Sequence, residues 1–244
     1  MWGPIGAETI VALTSLVERH GIGASSRILD LGCGPAELLR RMCESTGATG
    51  TGVDASPFAL AEGRRRLDGS PASDLIDLRL ADATALEPQG DHDLVLCIGP
   101  GWKSGGWTAL AAWASGFVAP GRLMLLGEGA WRVDPPPKAL ARLGMGIGDY
   151  LPSSEVPAAV ESTGASVIWS WRATADEWAA YADRYRAAMR SFARDHPDDP
   201  VTPAVRQRAE AGWADYETLH ELLDFVLILA TVAGDSDGSI GLGQ

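Results

Sequence analysis

The sequence predicts an α/β fold: a seven-stranded, mostly parallel sheet in three layers, with a helical insert between the last two strands. Three observations carry this expectation. Unbroken apolar runs alternate with helical patterns through the first two-thirds of the chain, as strands buried on both faces require. A glycine loop joins the first such run to a helix. Two long helical patterns, divided by a proline-rich breaker, precede the final apolar run.

Element by element, Glu8–His20 places Ile10, Leu13, Leu16 and Val17 at helical spacing. Strands are expected at Arg27–Leu31, Gly52–Ala55, Asp77–Ala81, Asp93–Ile98 and Arg122–Gly127. Helices are expected between them at Ala36–Ser45, Pro57–Leu67 and Gly106–Phe117, with Pro35 at the first helical position after the loop. In WRVDPPPKALARLG, three consecutive prolines exclude a central strand or a helix interior. Ser153–Thr163 reads as a helix opened by Ser153 or Ser154 as N-cap, with Pro157 in its first turn. Ser166–Ala173 is a sixth strand. Ala175–Arg194 and Val205–Leu223 form two long helices around DHPDDPVTP, and Asp224–Thr231 is the last strand. The chain 1–244 reads as one domain, with 174–223 as a helical cap within it. An insert of this length either covers a binding site or decorates the surface.

With 244 residues, 46% of them apolar, the chain can bury a core of its own. Its 20 Lys and Arg against 32 Asp and Glu give a net charge of -12, which argues against nucleic acid as a partner and favours a small molecule, neutral or cationic. Cys33, Cys43 and Cys97 lie in apolar or glycine-rich settings without metal spacing, as reduced thiols of a cytoplasmic protein would; no metal is expected. The start of the sequence has no basic leader. The apolar run FVLILATVA is about half of a membrane span, so no membrane partner is expected either. A monomer or a homodimer is compatible with all of this.

The stretch RILDLGCGPAELLRRM carries the chemistry. Gly32 and Gly34 let the backbone approach a ligand at a helix start. A dinucleotide fingerprint needs a third small residue where Glu37 stands, and a Walker loop needs Gly-Lys-Ser/Thr, which is absent. Asp54 ends the second strand, where a carboxylate can accept both ribose hydroxyls. Asp82, in LRLADAT, ends the third, and Gly99–Pro100–Gly101 follows the fourth. Each aspartate alone suits a turn or a cap. In this order, at successive strand ends on the ligand-binding edge, they read as a set.

Motif by motif, from Ser26 to Glu128, the chain resembles the class I S-adenosylmethionine (SAM)-dependent methyltransferases of the small-molecule branch: LDLGCGP, TGVDAS, ADAT, DLVLCIGPGW and VAPGRLMLLGEGAW. The resemblance implies a Rossmann-like sheet with an antiparallel last strand. It also implies SAM as cofactor, with Gly32 and Gly34 under its methionyl part and Asp30 placing the ammonium. Asp54 would hold the ribose with Ala55 and Ser56 beside it, and Asp82 and Ala83 would flank adenine. Cys97 to Gly99 would contact the sulfonium through their backbone, with Trp102 as an aromatic border.

Candidates on the acceptor side are Glu128, a carboxylate between glycines at the end of the fifth strand, and Tyr181 and Tyr185 with Trp178 on one face of the first insert helix. His220, four residues after Tyr216 on the second, is a possible base. The aromatic stripe is either the face docked on the core or the roof of the pocket. Trp131 packs or borders the site in the same way. The expected reaction is methyl transfer to N, O or C of a small acceptor, with an amine favoured by the acidic balance. Two alternatives share the site: reaction of the aminocarboxypropyl arm of SAM with release of methylthioadenosine, and SAM binding without catalysis.

Overall fold

Strand β1 (Arg27–Leu31) is buried from its second residue onward, which is why RILDL reads as a continuous apolar run. The structure, a computed structural model, describes residues 3–99 and 105–234, with the side chains of all of these except 211–218. β1 is the third strand in a sheet ordered β3-β2-β1-β4-β5-β7-β6. The others are β2 (Thr49–Asp54), β3 (Ile76–Leu80), β4 (His92–Ile98), β5 (Val118–Trp131), β6 (Ser166–Arg172) and β7 (Leu223–Thr231). β1 to β5 pair in parallel, and β7 runs antiparallel between β5 and β6. The chain winds outward in one direction from β1 and in the other from β4, so a crevice opens at their carboxyl ends.

The helices are α1 (Ala7–Arg19), α2 (Glu37–Thr46), α3 (Pro57–Leu67), α4 (Gly106–Ser115), α5 (Pro137–Leu143), α6 (Val156–Glu161), α7 (Ala175–Asp195) and α8 (Thr202–Leu222). α1, α2 and α3 cover one face, where Leu13, Leu39, Met42 and Leu60 pack with Ile28, Leu94, Leu96 and Leu125. α4 and α6 cover the other, where Trp107, Leu110 and Val160 pack with Leu29, Leu31, Val95 and Leu126. Successive residues of one strand thus serve opposite layers. Each fully buried leucine contributes on the order of 1.5–3 kcal/mol.

The pair α7–α8 leaves the sheet at the end of β6 and returns to it at the start of β7, both on the carboxyl edge. A capping box opens α7: Glu177 N–H donates to Thr174 Oγ1 at 3.2 Å, and Thr174 N–H donates to Glu177 Oε2 at 2.9 Å. The other oxygen of Glu177 accepts from Gly6 N–H at 2.9 Å and Thr9 Oγ1 at 2.8 Å, which ties the N-terminal segment to the insert. Among the described residues no helix is long and apolar enough to cross a membrane.

Several boundaries differ from expectation. α2 begins at Glu37 and not at Pro35, because Ala36 is left-handed (φ 54°, ψ 27°) and adds one more turn to the loop. PPPKALARLG, expected only to exclude regular structure from the prolines, opens α5 with Pro137 as its first residue. α6 begins at Val156 and is not capped by Ser153 or Ser154. Ser153 is buried and its N–H donates to Trp131 O at 2.7 Å, extending the sheet edge. β5 runs on to Trp131, held by β7 through Trp131↔Leu223, so Glu128 lies inside the strand and not at its end. α8 begins at Thr202, with Pro203 in its first turn.

Candidate active site

The glycine loop is fastened to β2 by three hydrogen bonds. Gly32 and Cys33 both donate to Val53 O, at 2.8 and 3.0 Å. Asp54 then accepts from Gly34 N–H through Oδ2 and from Ser56 N–H through Oδ1, each at 2.8 Å. Gly32 and Gly34 have φ of 78° and 54°, conformations that glycine adopts without the penalty a side chain brings. Asp82 Oδ1 accepts from Thr84 N–H and Oγ1 at 2.8 and 2.7 Å, turning the chain into a short 3-10 helix (Ala83–Ala85). At the end of β4, Gly99 (φ 70°) donates to Gly127 O at 2.7 Å, and a methyl group added at Gly99 would meet nothing within 4 Å among the described residues.

These ends surround a cleft of about 880 Å³ lined by Gly32, Gly34, Asp54, Ala55, Ser56, Ala59, Asp82, Ala83, Thr84, Ile98 and Gly99. Beneath the loop, and sharing Gly32 and Ile98, a small cavity of about 40 Å³ holds Asp30 and is closed by Gly3 and Ile5. Asp30 is 4% exposed. Burial first, and the charge of Asp54 second, push its carboxyl up to about 7. Hydrogen bonds from Thr84 hold the Asp82 carboxyl below its ordinary range. Among the described residues no ion pair engages Asp30, Asp54 or Asp82; Glu37, which also lines the small cavity, is paired with Arg40, Arg41 and Arg66, and the pairs at Glu62, Asp77 and Asp224 lie elsewhere. The wall is therefore acidic and without a compensating cation among the described residues, which suits a cationic ligand and repels a polyphosphate.

The cleft brings together Gly32, Gly34, Asp54, Ala55, Ser56, Asp82, Ala83 and Gly99 from the expected set, with Asp30 in the adjoining cavity. Cys97 does not line it. Its side chain is fully buried in the α4/α6 layer, on the same strand face as Val95, and the stretch Cys97 to Gly99 meets the cleft at Ile98 and Gly99. Trp102 lies outside the described residues, as does the Tyr216 side chain. Glu37, in place of a third small residue, pairs with Arg40 and Arg41 at the start of α2. Burial raises its carboxyl, but the hydrogen bonds and charges of those arginines outweigh this and leave it lowered.

The insert candidates are not in the cleft lining. Trp178 is buried on the α1/α2 face, Tyr181 packs edge-on to it at 6.1 Å, and Tyr185 stacks on Tyr181 at 6.1 Å. Arg208 Nε donates to the Tyr185 hydroxyl at 3.4 Å, so this stripe joins α7 to α8. His220 is half-buried near the end of α8. Glu128 is also half-buried, one residue past Gly127, the β5 partner of Ile98. Its carboxyl is raised by burial, partly offset by the hydrogen bond from Gly129 N–H at 2.8 Å. Sequence reasoning missed Ala59, Thr84, Gly3 and Ile5. It also missed Tyr150, whose ring packs on Gly129. Nothing local marks Tyr150 or Gly3.

Residues 28–118, from β1 to the start of β5, match the family model described as a methyltransferase domain. Protein YjhP of Escherichia coli (strain K12) is 31% identical over 200 residues, which span 79% of each chain. The chain belongs to the class I SAM-dependent methyltransferases. Its likeness to YjhP extends over nearly the whole fold: the X-ray structure of YjhP superposes with a TM-score of 0.86 at 26% identity, covering 96% of this chain and 95% of that one. A SAM-dependent methyltransferase from Thiobacillus denitrificans, solved with S-adenosylhomocysteine, shares the fold with a TM-score of 0.84 at 24% identity, covering 95% and 94%. Trans-aconitate 2-methyltransferase of Methylobacterium nodulans is 39% identical over 83 residues, only 33% of this chain and 29% of that one.

The residues present fit SAM. The cleft volume lies within the range of small-molecule sites, Gly99 lines it, and the carboxylates of Asp30, Asp54 and Asp82 match a ligand that carries an ammonium, two ribose hydroxyls and an adenine amine.

Proposed function

We propose that this enzyme transfers the methyl group of SAM to a nucleophilic atom of a small-molecule acceptor. The observation that carries the reading is the acidic wall of the glycine-loop cleft at the switch point, without a compensating cation among the described residues, opening beside the β4 and β5 ends. Bound SAM supplies an already activated methyl carbon, so the chain's task is to hold and to align.

In this reading Asp30 receives the ammonium of the methionyl group from below the loop. Asp54 accepts the ribose hydroxyls on the lone pairs that its two backbone donors leave over. Asp82 and Ala83 border adenine, and Ile98 and Gly99 face the sulfonium. The acidic balance of the chain favours a neutral or cationic acceptor over an anionic one.

The test is product analysis by mass spectrometry, with protein and SAM incubated with and without a desalted small-molecule extract. S-adenosylhomocysteine formed only in the presence of extract is the expected result, and the mass gained identifies the acceptor. Methylthioadenosine released from SAM alone would refute methyl transfer.

A further inference from the structure

The N-terminal segment 3–6 runs as a strap between the glycine loop and the root of the insert. Gly3, Pro4 and Ile5 are buried, and Ile5 packs in the same apolar layer as Phe225 of β7 and Trp178 of α7. On its inner side, Gly3 and Ile5 close the small cavity that holds Asp30 and shares Gly32 and Ile98 with the cofactor cleft. At about 40 Å³ that cavity has room for an ammonium-sized group and none for a large side chain. Its size is set by where the strap lies.

The strap is fixed at the root of the insert. A methyl group at Gly3 would stand 3.2 Å from Phe225 Cζ, so this ring near the start of β7 lies against the strap's backbone. Gly6 is closer still to its neighbour. A methyl group there would stand 2.7 Å from Glu177 Oε1, because Gly6 N–H donates to that oxygen at 2.9 Å. Thr9 Oγ1, in the first turn of α1, donates to the same oxygen at 2.8 Å. Glu177 Oε2 serves the other element, accepting from Thr174 N–H and Thr174 Oγ1, both at 2.9 Å. Burial raises the Glu177 carboxyl, but the donations from Thr174, Thr9 and Gly6 outweigh this and leave it lowered. A capping box needs only one side-chain oxygen, and glutamine supplies it as well as glutamate does. The second oxygen of Glu177 adds the tie to residues 6 and 9.

We infer that Glu177 is a positioning residue for the cofactor, latching the strap shut over the methionyl end of the SAM site. This rests on the reading that Asp30 receives the SAM ammonium, and deepens it. With the strap in place, the ammonium meets Asp30 in an enclosed pocket, where their attraction is little screened by water. With the strap released, the pocket opens between Ile5 and the glycine loop, and the same carboxylate is solvated. The nucleoside half of SAM is assigned to Asp54, Asp82 and Ala83, none of which lines the strap's cavity. The latch therefore acts on the arm of the cofactor and leaves its nucleoside alone.

The experiment titrates the full chain by calorimetry with S-adenosylhomocysteine and with 5′-methylthioadenosine, which keeps nucleoside and sulfur but lacks the ammonium-bearing arm. Glu177→Gln leaves one acceptor oxygen for two tasks. It should weaken S-adenosylhomocysteine about tenfold, the loss expected if the closed strap falls to about a tenth of the molecules. Thr9→Val leaves the capping box intact and should weaken that ligand a few-fold. Both variants should bind methylthioadenosine within about twofold of the wild type, as a remote site would. Circular dichroism and thermal melts check folding, and if Glu177→Gln unfolds the insert, Thr9→Val decides alone. Folded variants with wild-type affinity for S-adenosylhomocysteine, or an equal loss for the two ligands, overturn the latch while the cofactor reading stands. Wild-type protein that binds S-adenosylhomocysteine no more tightly than methylthioadenosine, or fails to bind it, overturns the role of Asp30 as well.

Discussion

Asp54→Ala removes a carboxylate that does two jobs at once. In the free protein its oxygens accept from Gly34 and Ser56 N–H, each at 2.8 Å, and hold the glycine loop against β2. Both amides are at the edge of an open cleft where water can replace the carboxylate, so the folded state should lose only about 1–3 kcal/mol. Binding should lose more. Two ribose hydroxyls donating to an ionised carboxylate contribute roughly 1.5–3 kcal/mol each, so their joint loss lowers SAM affinity by about 10²- to 10⁴-fold. Calorimetric titration of SAM and S-adenosylhomocysteine, with a thermal melt of each protein, measures the two effects separately. A 2′-deoxy analogue of S-adenosylhomocysteine makes the control: it should bind the wild type more weakly than the parent ligand, and should show little further difference from the parent in the variant. An intact variant whose affinity falls less than threefold, or one that still distinguishes the two ligands as the wild type does, would refute the assignment of Asp54 to the ribose.

Two other expectations follow from single residues. With the Asp30 carboxyl at about 7 in the free protein, and ammonium binding favouring its ionised form, SAM affinity should fall as pH drops below about 7, by up to tenfold per unit, and level off above it. Asp30→Asn should flatten the titration. Because the folded value is raised above 3.8, the ligand-free protein should lose stability as pH rises from about 4 to about 7, which melts across that range would show. Gly129→Ala should lower stability by about 1–3 kcal/mol, since its methyl group collides with the Tyr150 ring at 2.6 Å. A Gly129→Ala/Tyr150→Ala double variant should cost less than the sum of the two single changes, measured as a coupling of at least about 0.5 kcal/mol by denaturant titration.

What the sequence made legible depended on how local the cause was. The strand and glycine loop at Arg27–Gly34 were legible because apolar burial and left-handed turns leave direct residue signatures. Asp54 and Asp82 were legible only as a set at successive strand ends on one edge, because each alone also serves a local turn, as both do here. The backbone at Ala36 was not. An alanine at φ 54° goes against its own preference by roughly 1–2 kcal/mol, and the conformation is imposed by the anchor between Gly34 and Asp54. Gly127–Glu128–Gly129 read as the end of a strand because its partner, Leu227–Phe225 of β7, is remote in sequence and antiparallel. Gly3, Ile5 and Tyr150 came to the site by tertiary packing alone. The tyrosines of α7 showed helical spacing correctly, but spacing cannot tell a face turned to α8 from one turned to a pocket.

The hairpin of α7 and α8 begins and ends at neighbouring positions. Ala173 N–H donates to Phe225 O at 2.9 Å, so the chain enters and leaves the insert across a single antiparallel rung. A two-residue turn could close the same rung and leave β6 and β7 paired as they are. The sheet therefore registers the insert only through its two ends, and its length is free to drift over generations without shifting the register of any strand beneath SAM. In a lineage under pressure to accept new molecules, that rung is the joint at which one insert can be exchanged for another while the rest of the sheet is inherited unchanged.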